Sequence, residues 1–541
     1  MESYERISRQ RLMPFSVRRP SEIFIRAFTI RGRALACSAN GARTEAAASA
    51  GNQARKIVVR RTTPGEVHGQ INERATPRSH RDLSSHLAAT LAEEVLPMGV
   101  NSAEIYDVVG VGFGPSNLAF AIALEENGAG SSAGPVASAF FERQSSFGWH
   151  RNMLLPLATM QVSFLKDLAT LRNPVSRFGF LSYLHASGRL EKFINTQTFF
   201  PTREEYHQYL DWAQEPFADR VSYGSEVTGI RLPLEASSAT VQYLQLRVRD
   251  NETGDTRFVA ARNVVISTGL VPQLPDGMAS DERIWHSSEF LERFQQTCPD
   301  TLKKVAVVGA GQSGAEIARF LHESLPDAQI YAIVPSYGYS IADDTPFANQ
   351  VFDSAAVDDY YFGTERTREA FWRYHRNTNY SVVDDEVIRD LYQRVYMEEV
   401  RGAKRLHILN MARVTNVKRI GNESRVSMEL LLDGGSQELD VDALVFATGY
   451  DSMDPSGILG DLDGYCLRDG AGRHRVDRDY RLVTTPDVSC GIYLQGGTEH
   501  THGLTSSLLS NIAVRGGEIA DSILERRSVD GSATPGLTTP A

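Results

Sequence analysis

The order of apolar and polar positions along the chain predicts two copies of one structural unit. An apolar run at 106–110 leads into a group of glycines and then into residues 116–126, where apolar positions recur at helical spacing. A second apolar run at 137–142 completes a strand, helix and strand. The same order recurs, again with glycines after the first strand, at 304–308, 314–323 and 329–334. Such units are typical of nucleotide-binding sheets with parallel strands.

Two further apolar runs indicate how these units are joined. Residues 262–269 and 440–449 are strand-like and end in Ser-Thr-Gly and Ala-Thr-Gly. We expect both runs to return the chain to the first sheet. The second unit is then a domain inserted into the first.

The first hundred residues do not share this pattern. They are rich in Arg, Ser, Ala and Thr and lack sustained periodicity, which is typical of a disordered extension. An organelle transit peptide is one alternative, although Glu2 and Glu5 count against it. A translation start at Met98, just ahead of the first strand, is another.

Composition narrows the class of protein. With 541 residues, of which 42% are hydrophobic, the chain has material for two or three globular domains. Its formal net charge of −11 argues against a nucleic-acid partner, which normally needs a basic surface. Four cysteines without a Cys-x-x-Cys pair, and the lack of a long apolar run, favour a cytoplasmic protein that does not enter a membrane.

The first glycine turn carries the pattern needed to hold a dinucleotide. Its early glycines allow a tight turn and a close backbone approach, so that a pyrophosphate can rest on the amides that open the helix. An acid at the end of the second strand is placed to accept hydrogen bonds from a ribose. The predicted contacts are Gly110, Gly112, Gly114, Pro115, Ser116 and Glu142. The alternatives are a plain tight turn and a solvated strand end at Glu142.

The second turn matches the full G-x-G-x-x-G pattern. Its predicted contacts are Gly309, Gly311, Gln312, Ser313 and Gly314. Two dinucleotide sites in one chain indicate a bound flavin and a nicotinamide coenzyme that reduces it. The turns are therefore predicted to serve FAD and NAD(P)H.

Several separated segments outside the two turns add a more specific signal. They lie at 147–150, 160–168, 343–349, 377–380, 447–450 and 499–510. Together with the turns, these segments resemble the N-hydroxylating flavoprotein monooxygenases of siderophore biosynthesis, the L-ornithine and L-lysine N-monooxygenases. The resemblance runs from residue 106 to residue 516.

The resemblance implies an α/β fold with two Rossmann-like dinucleotide-binding domains, for FAD and NAD(P)H, and a small substrate-binding region. It implies that the side-chain amine of an amino acid, most simply L-ornithine, is hydroxylated to N5-hydroxyornithine through a C4a-hydroperoxyflavin formed with O2. It also implies a homo-oligomer, which is a tetramer in the family. The predicted divisions are an extension at 1–100, an FAD domain at 101–270 and 441–525, an inserted NAD(P)H domain at 271–440, and a flexible tail at 526–541.

The resemblance also assigns roles to single residues. The expected substrate-binding residues are Lys166, Asn349, Asn379, Leu508 and Ser510. Lys166 is expected to pair with the substrate carboxylate, since a half-buried ammonium selects for an amino acid over a diamine. Gln161, Trp149 and His150 are expected beside the flavin, and Asn379 and Gln161 are the candidate catalytic residues. Taken alone, the lysine also fits a surface position and the asparagines fit turns.

Two other pairs of residues are given no role in the reaction. His500 and His502 lack a third ligand at a recognisable spacing, so no metal is expected. Asp343 and Asp344 are expected to form a turn or a helix start rather than an acid and base pair.

The coenzyme site is where this sequence departs from the family. Ornithine enzymes that use NADPH commonly carry basic residues after the second strand of the coenzyme domain and after the first Ser/Ala-Thr-Gly. Here residues 334–339 are Val-Pro-Ser-Tyr-Gly-Tyr, and residues 286–290 are His-Ser-Ser-Glu-Phe. NADPH is the expected coenzyme, with NADH as an alternative, and weak discrimination between the two is predicted.

Other functions share part of this pattern. An L-lysine N6-hydroxylase is an alternative, because the length of the substrate pocket is a property of the three-dimensional structure. A Baeyer-Villiger or S-oxidising monooxygenase would keep both glycine turns without needing the segment around Lys166. A regulatory protein that binds nucleotides would keep the folds without turnover.

Deletion of the residues ahead of Met98 is expected to leave a soluble, FAD-loaded and active enzyme. The reason is that the deleted stretch carries neither periodicity nor a motif of either site. Flavin absorbance and NADPH oxidation, compared between the truncated and the full chain, test this expectation. Loss of folding or of flavin would contradict it.

Overall fold

The computed structural model describes residues 105–129, 134–233 and 240–532. The predicted N-terminal extension and Met98 lie outside these residues.

Strands and helices alternate through most of the described chain. The strands are β1 (Ile105–Val111), β2 (Ser138–Glu142), β3 (Val221–Tyr223), β4 (Ser225–Arg231), β5 (Leu244–Asp250), β6 (Thr256–Ile266), β7 (Val271–Pro272), β8 (Ile284–His286), β9 (Lys304–Val308), β10 (Gln329–Ile333), β11 (Leu406–Leu409), β12 (Ala412–Ile420), β13 (Glu423–Leu430), β14 (Gly435–Val441), β15 (Ala443–Phe446), β16 (Tyr450–Asp451) and β17 (Gly491–Leu494). The helices are α1 (Pro115–Gly128), α2 (Phe180–Ala186), α3 (Leu190–Thr196), α4 (Arg203–Gln214), α5 (Phe290–Gln296), α6 (Gln312–Ser324), α7 (Pro346–Asn349), α8 (Ser354–Tyr361), α9 (Glu365–His375), α10 (Asp385–Arg401), α11 (Ser456–Leu459), α12 (Glu499–His502) and α13 (Ile512–Ser532). Both predicted strand, helix and strand units are confirmed, as β1-α1-β2 and β9-α6-β10.

The first sheet is built around β1, in the order β3-β2-β1-β6-β5-β4. β1 pairs in parallel with β2 on one side and with β6 on the other. The first half of β6 pairs antiparallel with β5, and its second half pairs in parallel with β17. The apolar run at 262–269 therefore contributes to the first sheet, as predicted.

The second sheet is parallel throughout, in the order β11-β10-β9-β15-β8. The expectation that the run at 440–449 returns to the first sheet is wrong, because β15 pairs with β9 and β8. The place expected for this run is taken by β17, some forty residues later. Both strands are short and apolar, so their local pattern does not determine which sheet they join.

The two passages of the chain between the sheets run side by side. β7 follows the first sheet, β16 follows the second, and the two pair antiparallel. The amide of Gln273 also donates to the carbonyl of Gly449 at 3.0 Å. The chain therefore enters and leaves the inserted part through one short ribbon.

Each sheet is covered on both faces. α5, α6 and α10 pack on one face of the second sheet, and the antiparallel β12-β13-β14 meander packs on the other. On the first sheet, α1 and α13 pack together. A Cβ at Gly516 of α13 would lie 2.9 Å from the backbone nitrogen of Phe120, so this close helix contact needs glycine.

The C-terminal tail begins later than predicted. Residues 526–532 continue α13, and Arg527 donates to the carbonyl of Gly134 at 2.8 Å while Arg526 donates to that of Ser489 at 2.6 Å. The expectation of a flexible tail from 526 is therefore wrong for these seven residues, because their arginines hold the helix to the first domain. Residues 533–541 lie outside the described chain.

None of the helices that the structure describes is both long and apolar enough to cross a membrane. Cys298, Cys466 and Cys490 are free thiols.

Candidate active site

Both glycine turns open on one cavity of about 2300 Å³. Its volume is well above that of a pocket for one small ligand, roughly 300–1,000 Å³. The predicted site residues that line it are Gly112, Gly114, Pro115, Ser116, Glu142, Trp149, His150, Gln161, Lys166, Gly309, Gly311, Gln312, Ser313, Asn349, Asn379, Leu508 and Ser510. Gly110 and Gly314 are not among the lining residues and serve the packing of the turns instead.

The first turn has the geometry of an anion cradle. Gly112 has a φ of +81°, and a Cβ there would lie 2.4 Å from the carbonyl oxygen of Ser267. A Cβ at Gly114, in contrast, would meet only open space, and this space adjoins the start of α1. α1 begins without a side-chain cap and without an acid in its first turn. Its first amides are therefore available to a pyrophosphate.

The carboxylate of Glu142 holds the first turn in place. It is buried, and accepts hydrogen bonds from the amides of Phe113 and Gln144, each at 2.8 Å. The alternative of a solvated strand end is therefore wrong. A carboxylate accepts about four hydrogen bonds, so Glu142 keeps acceptor capacity toward the cavity it lines.

Asn117 supports the same turn and was not found from the sequence as a separate contributor. Its side-chain amide donates to the carbonyl of Gly112 at 2.7 Å, and its side-chain oxygen accepts from Gln495 at 2.8 Å. The Gly-Pro-Ser-Asn order was visible in the sequence, but the partner Gln495 comes from a distant segment.

The second turn repeats the first in its main features. A Cβ at Gly309 would lie 2.2 Å from the carbonyl oxygen of Ala447, and one at Gly314 would lie 2.6 Å from that of Gly309. α6 also begins without a side-chain cap or an acid in its first turn. The turns therefore fit the pyrophosphates of two dinucleotides that face one cavity.

Lys166 lines the cavity, and its loop is held by the buried carboxylate of the next residue, Asp167. Asp167 accepts hydrogen bonds from the amides of Ala169, Thr170 and Phe180 at 2.6–2.9 Å, and from the hydroxyl of Thr170 at 2.8 Å. These bonds fix the loop in which Lys166 lies. The lysine is half-buried, 5.9 Å from the ring centre of Phe352, and forms no ion pair within the part of the chain that the structure describes. Its charge is thus available to an anionic ligand.

The other predicted substrate residues reach the cavity from two further segments. Asn349 ends α7 and donates to the carbonyl of Asp344 at 2.8 Å, and Asn379 follows a short turn after α9. The hydroxyl oxygen of Ser510 is buried and has no hydrogen-bond partner among the described residues. An ammonium, two amides and an unsatisfied hydroxyl form a lining suited to an amino acid.

Arg515 ties the Ser510 segment to the first glycine turn. This fully buried guanidinium donates to the carbonyls of Thr505 and Ser506 at 3.1 and 2.6 Å, and to the hydroxyl of Ser116 at 3.2 Å. No local motif surrounds it, so sequence reasoning did not find it.

A second network joins the two nucleotide-binding parts. Arg203 of α4 forms a bidentate pair with Glu316 of α6, at 2.7 and 2.8 Å, with both side chains nearly buried. Gln312 of the second turn donates to Glu316 and to Asp384, both at 2.8 Å. The amide of Gln161 donates to the other oxygen of Asp384 at 3.2 Å. The Thr-Arg-Glu-Glu sequence at the start of α4 predicts a helix start. It does not predict the contact between Arg203 and Glu316.

The paired histidines and Asp343 have structural partners. The Nε2 atoms of His500 and His502 lie 2.8 and 3.1 Å from the backbone carbonyls of His474 and Arg478. Burial lowers the pKa of His502 to about 3. Asp343 accepts hydrogen bonds from the amide and hydroxyl of Thr345, which confirms its expected turn role.

One group of side chains in the described ranges has metal-ligand types close together, namely Asp463, Cys466 and His474. The carboxylate of Asp463 is already paired with Arg468 at 2.5 Å and with His474 at 2.6 Å. These two contacts occupy the carboxylate of Asp463.

Two sheets, each containing a parallel strand, helix and strand unit whose glycine turn opens on a shared cavity, define an α/β oxidoreductase with two dinucleotide sites. The sequence profile described as L-lysine 6-monooxygenase/L-ornithine 5-monooxygenase matches residues 104–452. The chain belongs to this family, as the resemblance implied.

Relatives of known name cover most of the chain. An L-ornithine N(5)-monooxygenase of Emericella nidulans is 37% identical over 447 residues, which cover 78% of this chain and 89% of the relative. One of Pseudomonas aeruginosa is 37% identical over 432 residues, with 78% and 95% covered. The ornithine N-hydroxylase of Kutzneria sp. 744, solved with reduced FAD, NADP+ and L-ornithine, superposes with a TM-score of 0.75 at 59% identity, covering 78% of this chain and all of that one.

We expect the variant Glu316→Gln to lower the free energy of unfolding by about 3 kcal/mol, because it leaves the Arg203 guanidinium buried without its anionic partner. It should also slow reduction of the flavin, since Glu316 holds Gln312 of the second turn. Urea unfolding and anaerobic stopped-flow reduction measure the two effects.

The matched control is Arg177→Met, which removes an ion pair whose arginine side chain is 68% exposed. This variant should cost less than about 1 kcal/mol. Equal effects of the two variants on stability would show that the buried Arg203 pair contributes no more than an exposed ion pair.

Proposed function

We propose that this protein is an FAD-dependent monooxygenase that hydroxylates the side-chain amine of L-ornithine to N5-hydroxyornithine, using NADPH and O2. The observation that carries the proposal is the position of Lys166, an ammonium without an ion pair within the described residues, on the same cavity as both glycine turns. The product fits siderophore or related natural-product biosynthesis.

The residues for the flavin are those of the first turn and its neighbours. The pyrophosphate would bind the amides of Gly114, Ser116 and the start of α1. Glu142 would accept hydrogen bonds from the ribose hydroxyls. Trp149, His150 and Gln161 line the cavity beyond them. The chemistry that bound FAD supplies is the activation of O2 with electrons from NADPH, so that one oxygen atom can be transferred to the amine nitrogen.

The protein's own residues position the substrate. Lys166 would pair with the α-carboxylate, and Asn349 and Asn379 would bind its backbone groups. The side chain would then extend toward Leu508 and Ser510, where the buried hydroxyl oxygen needs a partner. Fixing both ends of the amino acid holds the amine in one place, which is the main contribution that a protein makes to a transfer of this kind.

Ornithine is favoured over lysine by the relatives. The two curated relatives compared above are named for ornithine, and the Kutzneria structure holds L-ornithine. An L-lysine 6-monooxygenase of Pseudomonas syringae superposes with a TM-score of 0.68 at 28% identity, covering 78% of this chain and 99% of that one. A Baeyer-Villiger or S-oxidising activity would not require the ammonium of Lys166 in the cavity.

A cytoplasmic location and a homo-oligomer, a tetramer by family resemblance, complete the proposal. The three described cysteines are free, as suits a reducing compartment. Tyr392, Tyr396 and Val400 form an exposed apolar stripe along α10, with 57–74% of each residue accessible, and such a stripe is suited to contact with a second copy. Light scattering of the purified protein would give the oligomeric state.

The variant Lys166→Ala is expected to raise the KM for ornithine. Loss of the charge partner for the carboxylate should cost about 2 kcal/mol in kcat/KM, since the lysine is only half-buried. FAD content should stay normal, because Lys166 does not support the first turn. Formation of hydroxylamine at a series of ornithine concentrations measures the change.

Lys192→Ala is the matched control, because this lysine is exposed and does not line the cavity. Unchanged ornithine kinetics in the Lys166 variant would contradict the proposal. So would acceptance of putrescine, which has no carboxylate, as readily as ornithine by the unaltered protein.

A further inference from the structure

The two positions at which a cation was expected for the coenzyme carry none. Residues 334–339 follow β10 without Arg or Lys, and the segment at 286–290 contains Glu289, whose carboxylate is paired with Arg293 at 3.0 Å. In nucleotide-binding sheets of this kind, the ribose 2′ position lies at the end of the second strand. A 2′-phosphate placed there would carry close to two negative charges.

The turn between β11 and β12 lies directly against this strand end. The amide of Val334 donates to the carbonyl of Leu409 at 3.0 Å, and the amides of Ala412 and Met411 donate to Val334 and Ser336 at 3.1 and 3.0 Å. Backbone hydrogen bonds therefore fix the start of β12 beside Ser336. The next residue along β12 is Arg413.

Arg413 lines the cavity together with Pro335 and Ala310. Its side chain is 62% exposed, and its ion pair with Glu429 on the neighbouring strand is long, at 3.8 Å. A pair of this length and exposure contributes little energy. The guanidinium is thus free to turn toward a phosphate, which it can bind with two parallel hydrogen bonds.

Within the described residues, two other arginines line the cavity from the coenzyme side, but both belong to other elements. Arg389 lies on α10 and is paired with Asp385, and Arg376 lies in the turn that precedes Asn379. Neither element forms backbone hydrogen bonds to residues 334–336. Arg413 is therefore the arginine that the fold fixes next to the end of β10.

We propose that Arg413 binds the 2′-phosphate of NADPH and gives this enzyme its preference for NADPH over NADH. The inference rests on the proposed function, because it assumes that the second turn holds a nicotinamide dinucleotide. It replaces the sequence-based expectation of weak discrimination, which assumed that no cation reaches the second strand.

Anaerobic stopped-flow reduction of the bound flavin, with NADPH and with NADH, tests the proposal. The unaltered protein should prefer NADPH by a hundredfold or more in the second-order rate constant, roughly 2.7 kcal/mol. Arg413→Ala should lower that ratio of rate constants at least tenfold, chiefly because it weakens the binding of NADPH. Arg413→Lys should retain part of the ratio, because the charge remains while the two-point contact is lost.

Lys418→Ala is the matched control, because Lys418 is an exposed cation further along β12 that does not line the cavity. This variant should leave the ratio of the rate constants for NADPH and NADH unchanged. A ratio that survives Arg413→Ala, or one that falls in Arg389→Ala instead, would overturn the proposal. So would the lack of a preference for NADPH in the unaltered protein.

Failure of the proposed function would give results that differ from those that overturn the role of Arg413. In that case the unaltered protein would bind no FAD, or would form no hydroxylamine from ornithine with either coenzyme. The FAD absorbance and melting temperature of each variant separate a local effect on coenzyme binding from loss of the fold.

Discussion

Arg203 and Glu316 belong to different nucleotide-binding parts, and their charged groups face each other with almost no contact with water. Removing two charges from water is costly, and the cost is recovered only when both hydrogen bonds of the pair are formed. A small shift of one part against the other would break this geometry. The pair therefore restricts the relative position of the two parts, together with the short antiparallel ribbon and the apolar contacts of Met153 and Leu155 with the core of the second sheet.

That restriction determines the shape of the shared cavity. Gln312 belongs to the second glycine turn and bonds both to Glu316 and to Asp384, while Gln161 reaches Asp384 from the segment that carries Lys166. The coenzyme turn and the substrate segment are thus held by one hydrogen-bonded network. A reaction that moves a hydride between two cofactors and an oxygen atom to a third molecule depends on such fixed distances.

The substrate region is held by buried polar groups rather than by regular secondary structure. Asp167 fixes the loop of Lys166 through its own carboxylate, and Arg515 fixes the segment before Ser510 through two backbone carbonyls. Each of these charges is buried and has lost its hydration, so it needs the hydrogen bonds that the loop supplies in this conformation. The loops are consequently rigid without being helices or strands, which is what a pocket for one defined amine requires.

The sequence by itself determined both strand, helix and strand units, the glycines of their turns and the segment around Lys166. These features are local, because a turn or a periodic helix needs only residues close in the chain. The tertiary structure alone decided which sheet received β15, which arginine faced Glu316, and that the start of β12, which carries Arg413, lies against the end of β10. Each of these depends on a contact between residues tens to hundreds of positions apart, and a local pattern of apolar and polar residues does not encode its own distant partner.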